Sequence, residues 1–441
     1  MAAPAIDKDA PKICPVKPGD PNYLDEASLV YEDILANPEP YYEAMREHDP
    51  VHYDKKLQMW LITRYEDLQT VNADPNLYAV GAGYREQYSK GFFEEFKAIL
   101  EKDGGGFFPD AIMSEPPYHT RIRRLIEGTF TAHKVKELEG RIRKVVVDLI
   151  DSFAGNGSCD AVRDFAIPVT IHVICEQLGI SLYDAKKISR WSEAVTAQIG
   201  RMQNREQMIE NARHICELQK YLINEMKDRE ANPKNDLISG IVHASVTHED
   251  GTVEKLTFEE AVSIVRAVLI AGNDTTATAL GNLAYLLATR PDLAEALYEN
   301  VDDDRFVTRF VEEHLRRMPP IRGLSRLTME DTVLNGKHLP KGSHLLNVYG
   351  SGNHDPQQFP DPLEFKMDRP NLGRHVVFGG GVHRCIGLAL ARMEVKIVAQ
   401  ELIRRVKDLR LAIDPGDIRY MPTVATQTIA NLPVTFSRRE G

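Results

Sequence analysis

The sequence predicts one large, helix-rich domain with a few short β-hairpins, and three observations point that way. Apolar residues recur at helical spacing over long stretches, first at Val135, Leu138, Ile142, Val145, Leu149 and Phe153, and again between Thr257 and Pro291. Strand-like runs are short and come in pairs around turn residues. No low-complexity linker or internal repeat divides the 441 residues, so a length that could hold two or three domains is assigned to one, residues 26–441, behind a flexible arm of residues 1–25.

Composition narrows the function classes. The chain is 43% hydrophobic and 27% charged, ordinary for a globular protein with a large core. A net charge of -11 argues against a general nucleic-acid binder. Five cysteines without a framework spacing suggest a reducing compartment. Cys175 and Cys216 sit among apolar residues at helical spacing and read as core, whereas Cys14 and Cys159 carry no readable role. No stretch approaches the length of a membrane span, and the charged, proline-rich start has no apolar signal core. The expectation is a cytoplasmic monomer without a membrane span.

Taken in order, a short helix from Tyr41 to His48 leads into a hairpin between Val51 and Tyr65, turning at Asp54-Lys55-Lys56. The segment from Val80 to Pro117 spreads Tyr84, Tyr88, Phe92, Phe93, Phe96, Phe107 and Phe108 among glycines and charges, which suits either a binding-site wall or a helix and loop packed on the core. After Pro116-Pro117 a helix begins, and His119 and Arg123, four apart, share a face that suits a carboxylate or plain solvent. The periodic run from Val135 to Phe153 predicts one long helix ending near Gly155. His243 and His248, five apart beside an Asp-Gly turn, read as surface residues.

A second long helix starts at Thr257, where Thr257 and Glu260 form a capping box, and continues without proline for roughly 30 residues, about 45 Å. It is apolar on most sides near Val265 to Ala271 and should be central. Its middle breaks the rules of a good helix with Ala271-Gly272-Asn273-Asp274-Thr275-Thr276, where the glycine alone costs about 1 kcal/mol relative to alanine. Threonine hydroxyls there can bond back to the preceding turn and open the helix for a small molecule and water. Downstream, Glu313 and Arg316 are spaced i, i+3 on a helix that stops before Pro319-Pro320, a pattern that by itself carries little. Asn335-Gly336 marks a tight hairpin, and strands close the chain near Arg410 to Ile413 and Val434 to Phe436.

From Phe378 the chain reads Phe-Gly-Gly-Gly-Val-His-Arg-Cys-Ile-Gly, ending at Gly387 and followed by helical periodicity from Leu388 to Ile397. Glycines let backbone approach something flat or bulky. Cys385, just before a helix N-terminus and beside His383 and Arg384, is expected to have a lowered pKa. Such a thiolate is a nucleophile or a metal ligand. His383, two residues away, does not establish a base, and no Cys-x-x-Cys supplies the rest of a zinc site. A single thiolate can also hold a haem iron.

Phe378, Gly381, His383, Cys385 and Gly387 match the cysteine loop of the cytochrome P-450 family, and Gly272, Asp274 and Thr275 match that family's oxygen-activation motif. The resemblance runs in order over nearly the whole chain. It implies a mainly α fold with small β-sheets at one side, the family's triangular prism, and haem b (iron protoporphyrin IX) between the central helix and the cysteine loop. Thiolate ligation, which favours O–O cleavage, is known haem chemistry of that family. By the same resemblance Cys385 is the metal ligand, His119, Arg123, Arg326, His383, Phe378 and Gly387 bind the cofactor, Thr275 and Asp274 are catalytic, and Glu313, Arg316 and Arg369 are structural. Substrate contacts are expected at Phe107, Phe108, Ala267, Ile270 and Ala271, with Arg322 added if it faces the pocket.

The implied activity is insertion of one oxygen atom from O2 into an apolar small molecule. No dinucleotide-binding glycine motif, flavin domain or iron-sulfur cysteine set occurs, so electrons from NAD(P)H should arrive through a ferredoxin-type partner and its reductase, docking on Arg384, Arg392 and Lys396. The acid and threonine argue against direct use of peroxide. Two alternatives are ring coupling or desaturation on the same fold, and a haem-thiolate gas or ligand sensor without turnover.

Overall fold

The computed structural model describes residues 13–81, 92–182, 185–199 and 204–439. Tyr84 and Tyr88 lie outside the described residues, as do residues 1–12 of the expected arm. The rest of that arm is not loose: Cys14 and Tyr23 are buried in one apolar cluster with Leu35, Tyr41 and Met45, and the Cys14 N–H donates to Asp33.

Helices dominate. Among the described residues the longest is Phe258–Thr289, 32 residues, and it is the central helix the sequence predicts. Thr257 Oγ1 accepts from Glu260 N at 3.2 Å while Glu260 Oε2 accepts from Thr257 N at 2.8 Å, so the capping box satisfies two otherwise free donors. Buried residues occupy every side of this helix from Ala261 to Ile270, and it packs against Ile167–Leu178, Ala185–Ile199, Arg205–Ala231 and Leu388–Arg405. The predicted 135–153 helix is two pieces, Ala132–Glu137 and Glu139–Ala154, broken at Leu138, which nonetheless packs on the core.

A five-stranded sheet stands to one side, in the spatial order Val51–Asp54, Met59–Ile62, His344–Asn347, Leu324–Thr328 and Tyr78–Ala79. Its first pair is the predicted hairpin, with Val51 opposite Ile62. The Asn335-Gly336 hairpin also forms, both residues at positive φ, 47° and 74°. The two closing strands, Val406–Leu411 and Pro433–Arg438, pair with each other, and Pro433–Arg438 also pairs with Ser158–Asp160. Cys175 and Cys216 are buried, as read from their spacing. Among the described residues no helix is long and apolar enough to cross a membrane.

Candidate functional site

The cysteine loop is built on glycine geometry. Gly379 and Gly381 have φ of 66° and 61°, and a Cβ on Gly381 would lie 2.0 Å from the Asn72 carbonyl. The chain can therefore pass over the Tyr65–Ala73 helix only with glycine there. Cys385 N–H donates to Phe378 O at 3.0 Å and Arg384 N–H to Gly381 O at 3.2 Å, closing the loop just before the Leu388–Arg405 helix. Phe378 is held by the Arg392 guanidinium, 4.5 Å from its ring centre. Cys385 is exposed, as are Gly381, Val382 and Arg384 of its loop, yet neighbouring atoms desolvate its sulfur. Its pKa departs from expectation: burial pushes the thiol up, outweighing the Gly387 N–H, Arg123 and Arg392, which favour the thiolate. A helix start and neighbouring cations do not offset the desolvation around this sulfur.

The central helix faces this loop with an opening of its own. Ala271 is exposed, and Ala267, Gly272, Asp274 and Thr275 are half-buried, in a helix whose other residues at this level are buried. Because this helix and the Leu388–Arg405 helix pack together, and Ile386 touches the cluster holding Leu269 and Ile270, the exposed residues border an internal recess. The expected opening of the helix does not occur. Thr275 Oγ1 donates to Ala271 O at 2.6 Å, yet the α-helix is continuous through Thr276. The polar side chains are tied sideways instead: Asn273 Nδ2 donates to Ser192 Oγ at 2.9 Å, and the Thr196 hydroxyl donates to Asp274. Burial holds the Asp274 carboxyl up at about 6, helped by the nearby charge of Glu193 and opposed by the Thr196 and Ser192 hydroxyls.

Basic groups converge beside the cysteine loop, and among the described residues the one carboxylate in ion-pair range of them is the exposed Glu127. The His119 and His383 rings stand 4.2 Å apart, and among the described residues neither nitrogen of the buried His119 has a hydrogen-bond partner, nor does His383 Nε2. Arg326, 4% exposed, donates only to neutral oxygens, those of Ser325, Asn72 and Tyr349. Arg123 reaches Glu127 only at 3.8 Å. Burial and the neighbouring cations press His119 down to about 4 and His383 to about 3. A site that gathers this much positive potential in a desolvated place fits an anionic group with two carboxylates, such as haem b.

The other expected residues divide. Glu313, Arg316 and Arg369 form a closed, buried network: Arg316 grips Glu313 through two bonds at 2.7 and 2.8 Å, and Arg369 adds a third at 3.1 Å. Arg322 does not face the recess. Its guanidinium is buried, donating to Leu35 O at 2.9 Å and to Tyr42 Oη at 3.4 Å, which commits it to the N-terminal layer. Phe107 also turns away, meeting Phe93 edge-on at 5.8 Å in the layer between Phe93–Asp103 and Arg205–Ala231. Phe108 packs against the cluster containing Ile270. Its loop is pinned by residues the sequence reading missed: Arg266 donates to Phe108 O and Gln219 Oε1, Gln219 donates to Gly104 and Gly106 O, and Ser263 accepts from Ala111 N. Their signal was polar side chains on otherwise apolar helix faces. On the cysteine side, Arg392 is paired with Glu312 and Lys396 with Asp304, leaving Arg384 exposed.

A thiol loop beside a basic cluster, with a small-residue stretch on the buried central helix, is the arrangement expected of a haem-thiolate class of protein. The comparisons agree. The family model described as Cytochrome P450 matches residues 87–408. The 6-deoxyerythronolide B hydroxylase of Saccharopolyspora erythraea is 31% identical over 89% of this chain and 94% of its own length. The vitamin D(3) 25-hydroxylase of Pseudonocardia autotrophica is 30% identical over 91% of this chain and 94% of its own. The P450 haem domain of Tepidiphilus thermophilus superposes with a TM-score of 0.85 at 25% identity, covering 94% of this chain and 97% of that one. The chain belongs to the cytochrome P450 family. It is a haem b enzyme of the monooxygenase type, which sets the sensor alternative aside.

Proposed function

We propose that Cys385 is the protein ligand of the haem iron, that His119, Arg123, Arg326 and His383 neutralise the haem carboxylates, and that Thr275 and Asp274 handle protons on the opposite side. The reaction is hydroxylation of a moderately large apolar molecule with O2, electrons coming from NAD(P)H through a ferredoxin-type protein. The observation that carries the reading is the cluster of His119, Arg123, Arg326 and His383, in which only Arg123 has a carboxylate within reach among the described residues, beside the exposed Cys385.

When bound, haem b supplies the iron at which oxygen is reduced and from which one oxygen atom reaches the substrate. The chain's own residues do the rest. The Gly387 N–H steadies the sulfur as an anion. The small side chains of Ala267 and Ala271 leave room, while Ile270 and Phe108 give the recess apolar surroundings. The Thr275 hydroxyl, parked on Ala271 O, can turn to present its proton to the recess, and Asp274, titrating near neutrality, can give and take protons behind it. The relatives named above for hydroxylating 6-deoxyerythronolide B and vitamin D(3) support C–H hydroxylation over ring coupling or desaturation.

The test is Thr275→Ala in the reconstituted system. Product formed per NAD(P)H consumed should fall roughly tenfold as peroxide rises, since a positioned general acid contributes at least that much. Unchanged coupling with full haem content would show that Thr275 holds no proton for the reaction.

A further inference from the structure

The helix Ala185–Ile199 packs against the central helix, and a helix laid on a buried partner normally fills its contacting stripe with apolar side chains. Here Ser189, Ser192 and Thr196 recur at spacings of three and four, so they share one face, and Glu193 borders it. Ser189 is 5% exposed and Ser192 fully buried, so this is no solvated face. Each hydroxyl has a polar partner. Thr196 donates to Asp274, Ser192 Oγ accepts from Asn273 Nδ2 at 2.9 Å, and Ser189 donates to Glu193 Oε1 at 3.4 Å. Asn273 is held in turn by Thr170, whose hydroxyl donates to its Oδ1 at 2.7 Å. The far end of the stripe is open, because Glu193 is exposed. Hydroxyls on this helix thus touch the acid of the central helix and its neighbour Asn273, and the exposed Glu193 lies one turn from Thr196 on the same helix, at a contact where packing alone calls for leucine or alanine.

We propose that this stripe is the outer half of a proton path, in which Glu193 at the surface and the Thr196 hydroxyl carry protons from solvent to Asp274. The inference rests on the reading of Asp274 as a proton carrier. In one step the Thr196 O–H proton passes to Asp274 Oδ2 while the Thr196 oxygen takes a proton from the Glu193 carboxyl, directly or through one water. Water from bulk solvent then reprotonates Glu193 and its hydroxide is lost to the buffer. One proton has moved inward, the threonine is unchanged, and no electrons have moved.

The charges around the path allow this. Asp274 faces Thr196, Ser192 and Glu193, with Asn273 beside it. Glu193 faces Ser189 and Arg190 on its own helix, Arg163 from the segment before Ile167, and His214 from Arg205–Ala231. Neighbouring protein atoms desolvate and raise both carboxyls, although Glu193 keeps solvent contact, and the arginines and histidine restrain only Glu193. Two carboxyls raised together hold a proton to higher pH than isolated carboxylates do.

The experiment compares Glu193→Gln, Thr196→Val, Thr196→Ser and Asp274→Asn in the haem-loaded enzyme, reading turnover, its pH profile and its solvent isotope effect. The carboxyl stretch of Asp274 is followed by infrared titration without substrate. Thr196→Val should slow product formation roughly tenfold and enlarge the isotope effect, with Thr196→Ser restoring both. Glu193→Gln removes a negative charge, so the Asp274 titration and the pH profile should both move to lower pH. If both variants only lower the melting temperature and leave isotope effect and titration in place, the stripe is packing and the path is wrong. An Asp274→Asn enzyme that is slow beside inert Glu193 and Thr196 variants removes this inference alone. A fully active Asp274→Asn enzyme removes the underlying reading and the inference with it.

Discussion

Two groups of charged residues hold the cysteine region, and they are opposites. Around Glu313 every charge is answered from within the chain: both guanidinium groups meet the carboxylate, and the remaining N–H donors find the carbonyls of Asn353, Pro362, Pro360 and Asp361. Around His383 the basic groups face one another, and among the described residues His119 has no partner for either ring nitrogen. Burying charge is costly in either place, but only the first group has offset the cost on its own. The difference separates residues that build the scaffold from residues that await an anion. A closed network contributes to the fold before any cofactor arrives, whereas an open one gains its partner only on binding.

That contrast can be broken most severely at Arg316. Arg316→Met leaves Glu313 buried with half its partners and should cost about 3–5 kcal/mol, read as lost stability of the haem-free chain in urea. A haem-free protein of unchanged stability would mean that the network is not the scaffold described. The open cluster predicts a different pattern. Arg326→Met should leave haem-free stability equal or slightly raised, since it deletes a buried cation without an anionic partner, yet haem should leave roughly 10–100-fold faster, the worth of a charged hydrogen bond. Transfer of haem to an acceptor protein measures the rate. Equal losses in both states would place Arg326 with the scaffold.

The sequence shows the first kind of residue and the second kind equally well, but not the difference between them. Glu313 and Arg316 at i, i+3 look like a surface pair, and their complete burial comes from distant segments, Lys366 N and the Pro362 carbonyl, that no local pattern announces. The long helix after Thr257 was legible because its cap and periodicity are local. Arg322 was not, because its direction depends on Leu35 and Tyr42, nearly three hundred residues away. The cysteine loop was legible in its glycines, whereas the raised thiol pKa was not, since desolvation depends on everything packed around the sulfur. The hydroxyl stripe at Ser189, Ser192 and Thr196 was present in the spacing and could have been found by asking which amphipathic helix puts hydroxyls on its buried side.

The same distinction operates more weakly on the outer face of the cysteine loop. Arg392 and Lys396 were expected to dock an electron donor together with Arg384, but Arg392 is gripped by Glu312 at 2.6 Å and Lys396 is paired with Asp304. An already paired cation offers an acidic partner little potential, because the approaching carboxylate meets the resident one as well. Arg384, exposed beside Cys385, has no such neighbour among the described residues. Stopped-flow reduction by a ferredoxin-type donor should therefore slow roughly tenfold in Arg384→Glu at low salt, with the gap narrowing as salt screens the surface. Lys396→Glu should slow it less, since the variant replaces a neutralised pair by two acids at a greater remove from the sulfur. Equal sensitivity at the two positions would show that pairing within the chain does not decide which surface cations steer the partner.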